Sequence, residues 1–108
     1  MKICSLNDMT RGWFIGDFEP SMLKTRDFEV GILTHKKGEK WPAHYHKEST
    51  EINVLLSGKM IVQDKTIHPN EIFVFDTYEV SDPVFLEDCT VLCIKTPSIP
   101  GDKYEVKK

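Results

Sequence analysis

Apolar and polar residues alternate with a period of two along most of this chain, in short runs cut by turn residues. That pattern predicts strands rather than helices. Residues 13–15 (WFI) form a first run between Gly12 and Gly16-Asp17, and residues 28–34 (FEVGILT) a second. Gly31 inside the second run signals a bulge or a close backbone approach. Residues 41–46 form a third run, entered through Pro42, and residues 51–56 a fourth, ending on the hairpin signal Ser57-Gly58. Residues 59–63 return, Asp64-Lys65 turns again, and residues 66–68 start another short strand. After the turn His68-Pro69-Asn70-Glu71 come residues 72–75 and 84–86, separated by the polar stretch 76–83. Residues 90–95 (TVLCIK) are the last strong strand, closed by Pro97 and Pro100-Gly101, and residues 19–24 are expected to hold one helical turn.

So many short strands, with no repeat, linker or low-complexity tract, indicate an all-β sandwich or barrel. In the fourth strand Glu51, Asn53 and Leu55 share one face, while Ile52, Val54 and Leu56 make the other wholly apolar. A strand of that kind is expected to be covered on both sides. The outer cover is expected to be the N-terminal strand or a second subunit, which points to a homodimer, and residues 72–75 reinforce that expectation.

At 108 residues the chain is expected to form a single domain, 1–108, with one core. A net charge of −3 without a basic run argues against a nucleic-acid partner. Lys36-Lys37 is diluted by Glu39, and Lys107-Lys108 reads as a solvated tail. The first residues lack the apolar core of a signal peptide, and no stretch approaches the length needed to span a bilayer. Three cysteines, Cys4, Cys89 and Cys93, without a disulfide-framework spacing suit a reducing cytoplasm. Cys89 and Cys93 share a strand face but lie too far apart to bond, so they are expected to be small buried apolar residues.

The chemistry concentrates between Gly38 and Gly58. On a strand, His44 and His46 project the same way about 7 Å apart, and the short connection 47–50 returns Glu51 close to His46. Two imidazoles and one carboxylate suit a divalent transition metal with coordination positions left open. Tyr45, between the histidines, points to the opposite face, towards core or interface packing. Asn53 and Leu55 share Glu51's face and, with Met60 and Val62, are expected to line a pocket, with Tyr78 and Ser81 near its mouth. His35 and His68 sit beside turns and read as exposed loop histidines. Lys95 shares a face with Val91 and Cys93 but, at a strand end, is expected to reach water.

Gly38, His44, His46, Glu51 and Gly58, with both intervening spacers, resemble the first signature motif of the cupin superfamily at every fixed position. The resemblance covers roughly residues 28–96. It implies a double-stranded β-helix, a small jelly-roll barrel in which the motif's two strands lie in different sheets and Glu51 faces the histidines across the lumen. The second cupin motif is degraded. With Asn70 at its first glycine, Asp76 stands for proline, Tyr78 for the second glycine, Ser81 for the histidine and Phe85 for the asparagine. Asn70 suits a left-handed turn; the Ser81 hydroxyl is a poor metal ligand, and strand alternation aims Asp82 away from the lumen.

Two functional classes remain open at this level. One is an enzyme with Fe, Mn, Zn, Ni or Co on His44, His46 and Glu51, acting on a small polar or sugar-like molecule as an oxygenase, isomerase or epimerase. The other is a non-catalytic module, a sensor or accessory protein, in which the three side chains form a polar network around a small ligand. The segment 93–104 reads as a strand followed by a proline-stiffened arm of unassigned role.

Overall fold

The computed structural model describes residues 1–106; Lys107-Lys108, read above as a solvated tail, lies outside the described residues. Ten strands follow one 3-10 turn at Leu6–Asp8. They are β1 (Trp13–Ile15), β2 (Glu29–His35), β3 (His44–Tyr45), β4 (Thr50–Ser57), β5 (Met60–Val62), β6 (Lys65–Ile67), β7 (Ile72–Phe75), β8 (Val84–Phe85), β9 (Cys89–Thr96) and β10 (Tyr104–Glu105). The fold is all-β, as the alternation predicts.

The largest sheet has the antiparallel order β1-β2-β9-β4-β7; β10 pairs with β3, and β6-β5-β8 form a third ladder. The ladders face one another without closing into a continuous hydrogen-bonded barrel. Two-residue turns explain the short connections. Gly58 has φ 94°, and a Cβ there would lie 2.3 Å from the Asp88 carbonyl oxygen, so only glycine fits. Gly31 is the close approach the sequence signals: a Cβ would meet the Trp13 ring at 2.8 Å. Asn70, with φ 72°, occupies the left-handed turn.

Registers across the large sheet put side chains into rows on its inner face. Leu33, Val91 and Leu55 make one row; Gly31, Cys93, Asn53 and Phe73 the next; Glu29, Lys95, Glu51 and Phe75 the third. The inner face thus changes along the strands from apolar to charged. At the apolar end, Leu55, Val91 and Cys89 pack against Met60, Val62 and Phe85 from the opposing ladder, and Phe75 from the charged row joins the same cluster. That packing leaves the charged end to line a cavity.

Three expectations are corrected. Residues 19–24 form bends and, at Leu23, a bridge to Ile15, and the helical turn lies instead at Leu6–Asp8. There the Ser5 hydroxyl accepts from the Asn7 amide and the Asp8 carboxylate accepts from the Ser5 amide, so Ser5-x-x-Asp8 acts as a capping box. The N-terminal strand does not cover the outer face of β4, because it pairs at the edge of β2. Leu56, Val74 and Ile72 are consequently 43%, 47% and 66% exposed on that outer face. His35 is no loop residue: it ends β2, stacks on Phe85 at 4.3 Å and bonds through Nδ1 to Glu39.

Candidate metal centre

The histidine strand is held from both sides. On one, β10 pairs Tyr104 with Tyr45 and Glu105 with His44. On the other, His44 exchanges both backbone hydrogen bonds with Ser81, at 3.0 and 2.7 Å, and the His46 carbonyl accepts from the Tyr78 amide at 2.7 Å. The loop from His46 to Glu51 is fixed by a residue far along the chain. Asp102 accepts from the amides of Lys47, Glu48 and Ser49 at 2.9, 3.0 and 2.9 Å. Burial of Asp102 acts against its charge, but these three donors outweigh it and hold the carboxyl below its ordinary range.

With the backbone so fixed, one donor atom from each of His44, His46 and Glu51 lies within 4.8 Å of the others. His46 Nε2 is 3.8 Å from Glu51 Oε1. It is buried and has no hydrogen-bond partner among the described residues. A buried imidazole nitrogen without a partner is costly unless something else occupies its lone pair. His44 Nδ1 donates to the Pro42 carbonyl at 3.1 Å, which leaves Nε2 as its free acceptor. Asn53 Nδ2 donates to Glu51 Oε2 at 3.0 Å, turning the other carboxylate oxygen towards the histidines.

Electrostatics keep both rings neutral. Burial lowers the His44 pKa, only partly countered by the Pro42 carbonyl. Burial also lowers that of His46, and the nearby Lys95 charge acts in the same direction. Neutral imidazoles beside a carboxylate form a donor set that a divalent transition metal fits without first displacing protons.

The group opens on a cavity of about 690 Å³ lined in part by Asn53, Met60, Ser81, Cys93 and Lys95. Three of the residues expected at it do not line it. Leu55 and Val62 are buried in the apolar core behind it. Tyr78 has φ 67°, is 63% exposed and stacks on Tyr45, which also stacks on Tyr104; it supports the histidines through its amide rather than its phenol. Asp82 accepts from the Gln63 amide at the surface, away from the cavity. His68 is exposed and pairs with Glu71.

Lys95 departs from expectation. Its side chain is 18% exposed and pairs with Glu29 at 3.7 Å, and it lines the cavity instead of reaching water. Glu29 is in turn bonded by Ser98 Oγ at 2.8 Å. Cys93 lines the same wall; burial, reinforced by the charge of Glu51, holds its thiol well above the ordinary range, so it remains a neutral wall atom. Trp13, Arg11 and Lys103 also line the cavity. Strand periodicity carries no signal for the last two, which come from irregular segments.

No family model matches the sequence, and no curated protein matches it. Solved structures do. An uncharacterized conserved protein with a double-stranded beta-helix domain from Klebsiella pneumoniae is 15% identical over 99% of this chain and 93% of that chain, with a TM-score of 0.73. KdgF from Halomonas sp. is 21% identical over 69% of this chain and 74% of that chain, with a TM-score of 0.65. A sugar phosphate isomerase of the cupin superfamily from Silicibacter pomeroyi is 19% identical over 76% of this chain and 58% of that chain, with a TM-score of 0.61. At such identities the likeness is one of fold. This chain has the fold of a small cupin.

Proposed function

We propose that this protein is a metal-binding cupin acting on a small polar molecule in its cavity. The observation that carries the reading is the buried, partnerless Nε2 of His46, facing Glu51 at 3.8 Å. His44 and His46 would hold the metal through Nε2, and Glu51 through the oxygen that Asn53 leaves free. Held there, a divalent metal would supply Lewis acidity towards a carbonyl or hydroxyl oxygen of the substrate. The chain's own residues supply the rest. Asn53 orients the carboxylate, Phe73 and Phe75 keep water from the inner wall, and Lys95 sets positive charge beside the reacting group. A cupin superfamily structure described as a sugar phosphate isomerase is among the similar folds, and isomerisation or epimerisation of a sugar-like molecule fits a Lewis-acid site with a cation beside it.

A second reading, a non-catalytic module that captures the same molecule, is favoured by one observation. Two charged groups beside the triad are already engaged: Lys95 with Glu29, and Glu39 with His35 and Trp41. Metal analysis of protein purified without chelator tests the proposal. Near one equivalent per chain supports it, and none in protein grown with added Zn, Mn, Fe, Ni and Co contradicts it. Turnover, absent in a ligand-binding module, separates the two readings.

The apolar strip Leu56, Ile72 and Val74 on the outer face supports a homodimer, with a second copy of the chain as its cover. Light scattering at micromolar concentration reads twice the chain mass if this holds. No helix among the described residues is long and apolar enough to cross a membrane. An exposed Cys4 with Cys89 and Cys93 unbonded supports a reducing, cytoplasmic setting.

A further inference from the structure

Resting on that reading, we propose that the molecule bound in the cavity is an anion, whose carboxylate or phosphate group is held by Arg11, Lys95 and Lys103 beside His44, His46 and Glu51. The protein as a whole carries a net charge of −3, yet these three cations, together with Lys40, line one chamber. Each comes from a different part of the chain. Arg11 lies before β1 and makes no ion pair among the described residues. Lys95 stands 5.1 Å above the Trp13 ring. Lys103 is 4.4 Å from the centre of the Trp41 ring, near the end of the arm that Asp102 ties to the histidine loop.

These charges act on one another. The Lys103 ammonium is disfavoured by burial first and then by repulsion from Lys95 and Arg11, with Glu51 and Glu105 acting the opposite way. Glu39, the other acid on the wall, is occupied by the Trp41 indole and His35. Glu29, Glu39 and Glu51 offset three of the four cations at the chamber, Lys40 being the fourth, and a divalent metal on the histidines would leave a clear positive excess. Like charges gathered in a concave, partly desolvated chamber repel unless an anion joins them, and they focus anions towards it. The flat indoles of Trp13 and Trp41 beside the lysines favour a small molecule with an apolar or ring-shaped body behind its charged group.

Calorimetric titration with inorganic phosphate, malonate and neutral glycerol, on metal-free and on zinc-loaded protein, tests this. Wild-type protein is expected to bind phosphate or malonate and not glycerol, more tightly with zinc and more weakly at higher salt. Arg11→Gln and Lys103→Gln, both at exposed positions, are each expected to weaken anion binding about fivefold or more. A preference for phosphate or for malonate identifies the group. Binding of neither anion, or wild-type affinity in both variants, overturns the inference. If zinc fails to bind wild-type protein, the metal reading falls, and the metal-free titrations still decide the anion.

Discussion

Lys95 is the direct cross-strand partner of Glu51 in the ladder of β4 and β9, and Glu29 flanks it on β2. A single buried row therefore runs carboxylate, ammonium, carboxylate. Replacing Lys95 with Met leaves Glu29 with only Ser98 for support. The expected loss is about 1–3 kcal/mol in urea unfolding, below the figure for a fully buried pair because the lysine keeps some contact with water. Lys95→Arg should restore most of it.

Asn53 touches neither histidine, but its amide fixes which oxygen of Glu51 faces them. Asn53→Ala is expected to weaken zinc binding about 10–100-fold while leaving the stoichiometry at one. Competition with a chromogenic chelator measures this. An unchanged affinity shows that Glu51 is oriented by other means.

Asp102 gathers three backbone donors from the turn between the second histidine and the glutamate. Asp102→Asn keeps one acceptor oxygen and sets an NH2 donor against at least one of these amides, which use both carboxylate oxygens, with an expected loss of about 1–3 kcal/mol. The same change should loosen the His46–Glu51 spacing and weaken zinc binding. Hydrogen exchange at the amides of Lys47, Glu48 and Ser49 should accelerate, whereas exchange in the apolar core should not change beyond the global loss.

The histidines make metal-free protein sensitive to mild acid. Both have folded pKa values below the ordinary 6.5, so the unfolded chain takes up protons that the folded chain resists. Stability is unaffected by these groups above pH 6.5 and falls as the pH drops from there towards their depressed values. The melting temperature of metal-free protein should decline over that window. The decline should flatten in a His44→Gln, His46→Gln double variant, and an equally steep decline in that variant contradicts the assignment.

Local pattern made the sheet legible, and long-range contacts hid the rest. Parity along β4 put Glu51, Asn53 and Leu55 on one face, as the burial of all three bears out. The His-x-His spacing and the short return to Glu51 needed only strand geometry and a four-residue connection. Lys95 had the right parity, but what held it inside was Glu29 on another strand, which no window around Lys95 contains. His35 read as a loop residue because its turn neighbours are polar; Phe85, stacked on its ring, is distant in sequence. The arm after β9 gave no periodic signal, since its function lies in one carboxylate, Asp102, capping amides more than fifty residues away. The capping box Ser5-x-x-Asp8 is legible in the sequence, whereas at 19–24, where one helical turn is expected, Glu19 and Pro20 lie in bends.

The most direct test is a crystal grown with zinc, with anomalous diffraction collected at the metal's absorption edge. One peak per chain is expected, about 2.0–2.2 Å from Nε2 of His44, Nε2 of His46 and a Glu51 oxygen. A cavity without a peak, or a peak bound elsewhere while these three side chains keep their present contacts, contradicts the account.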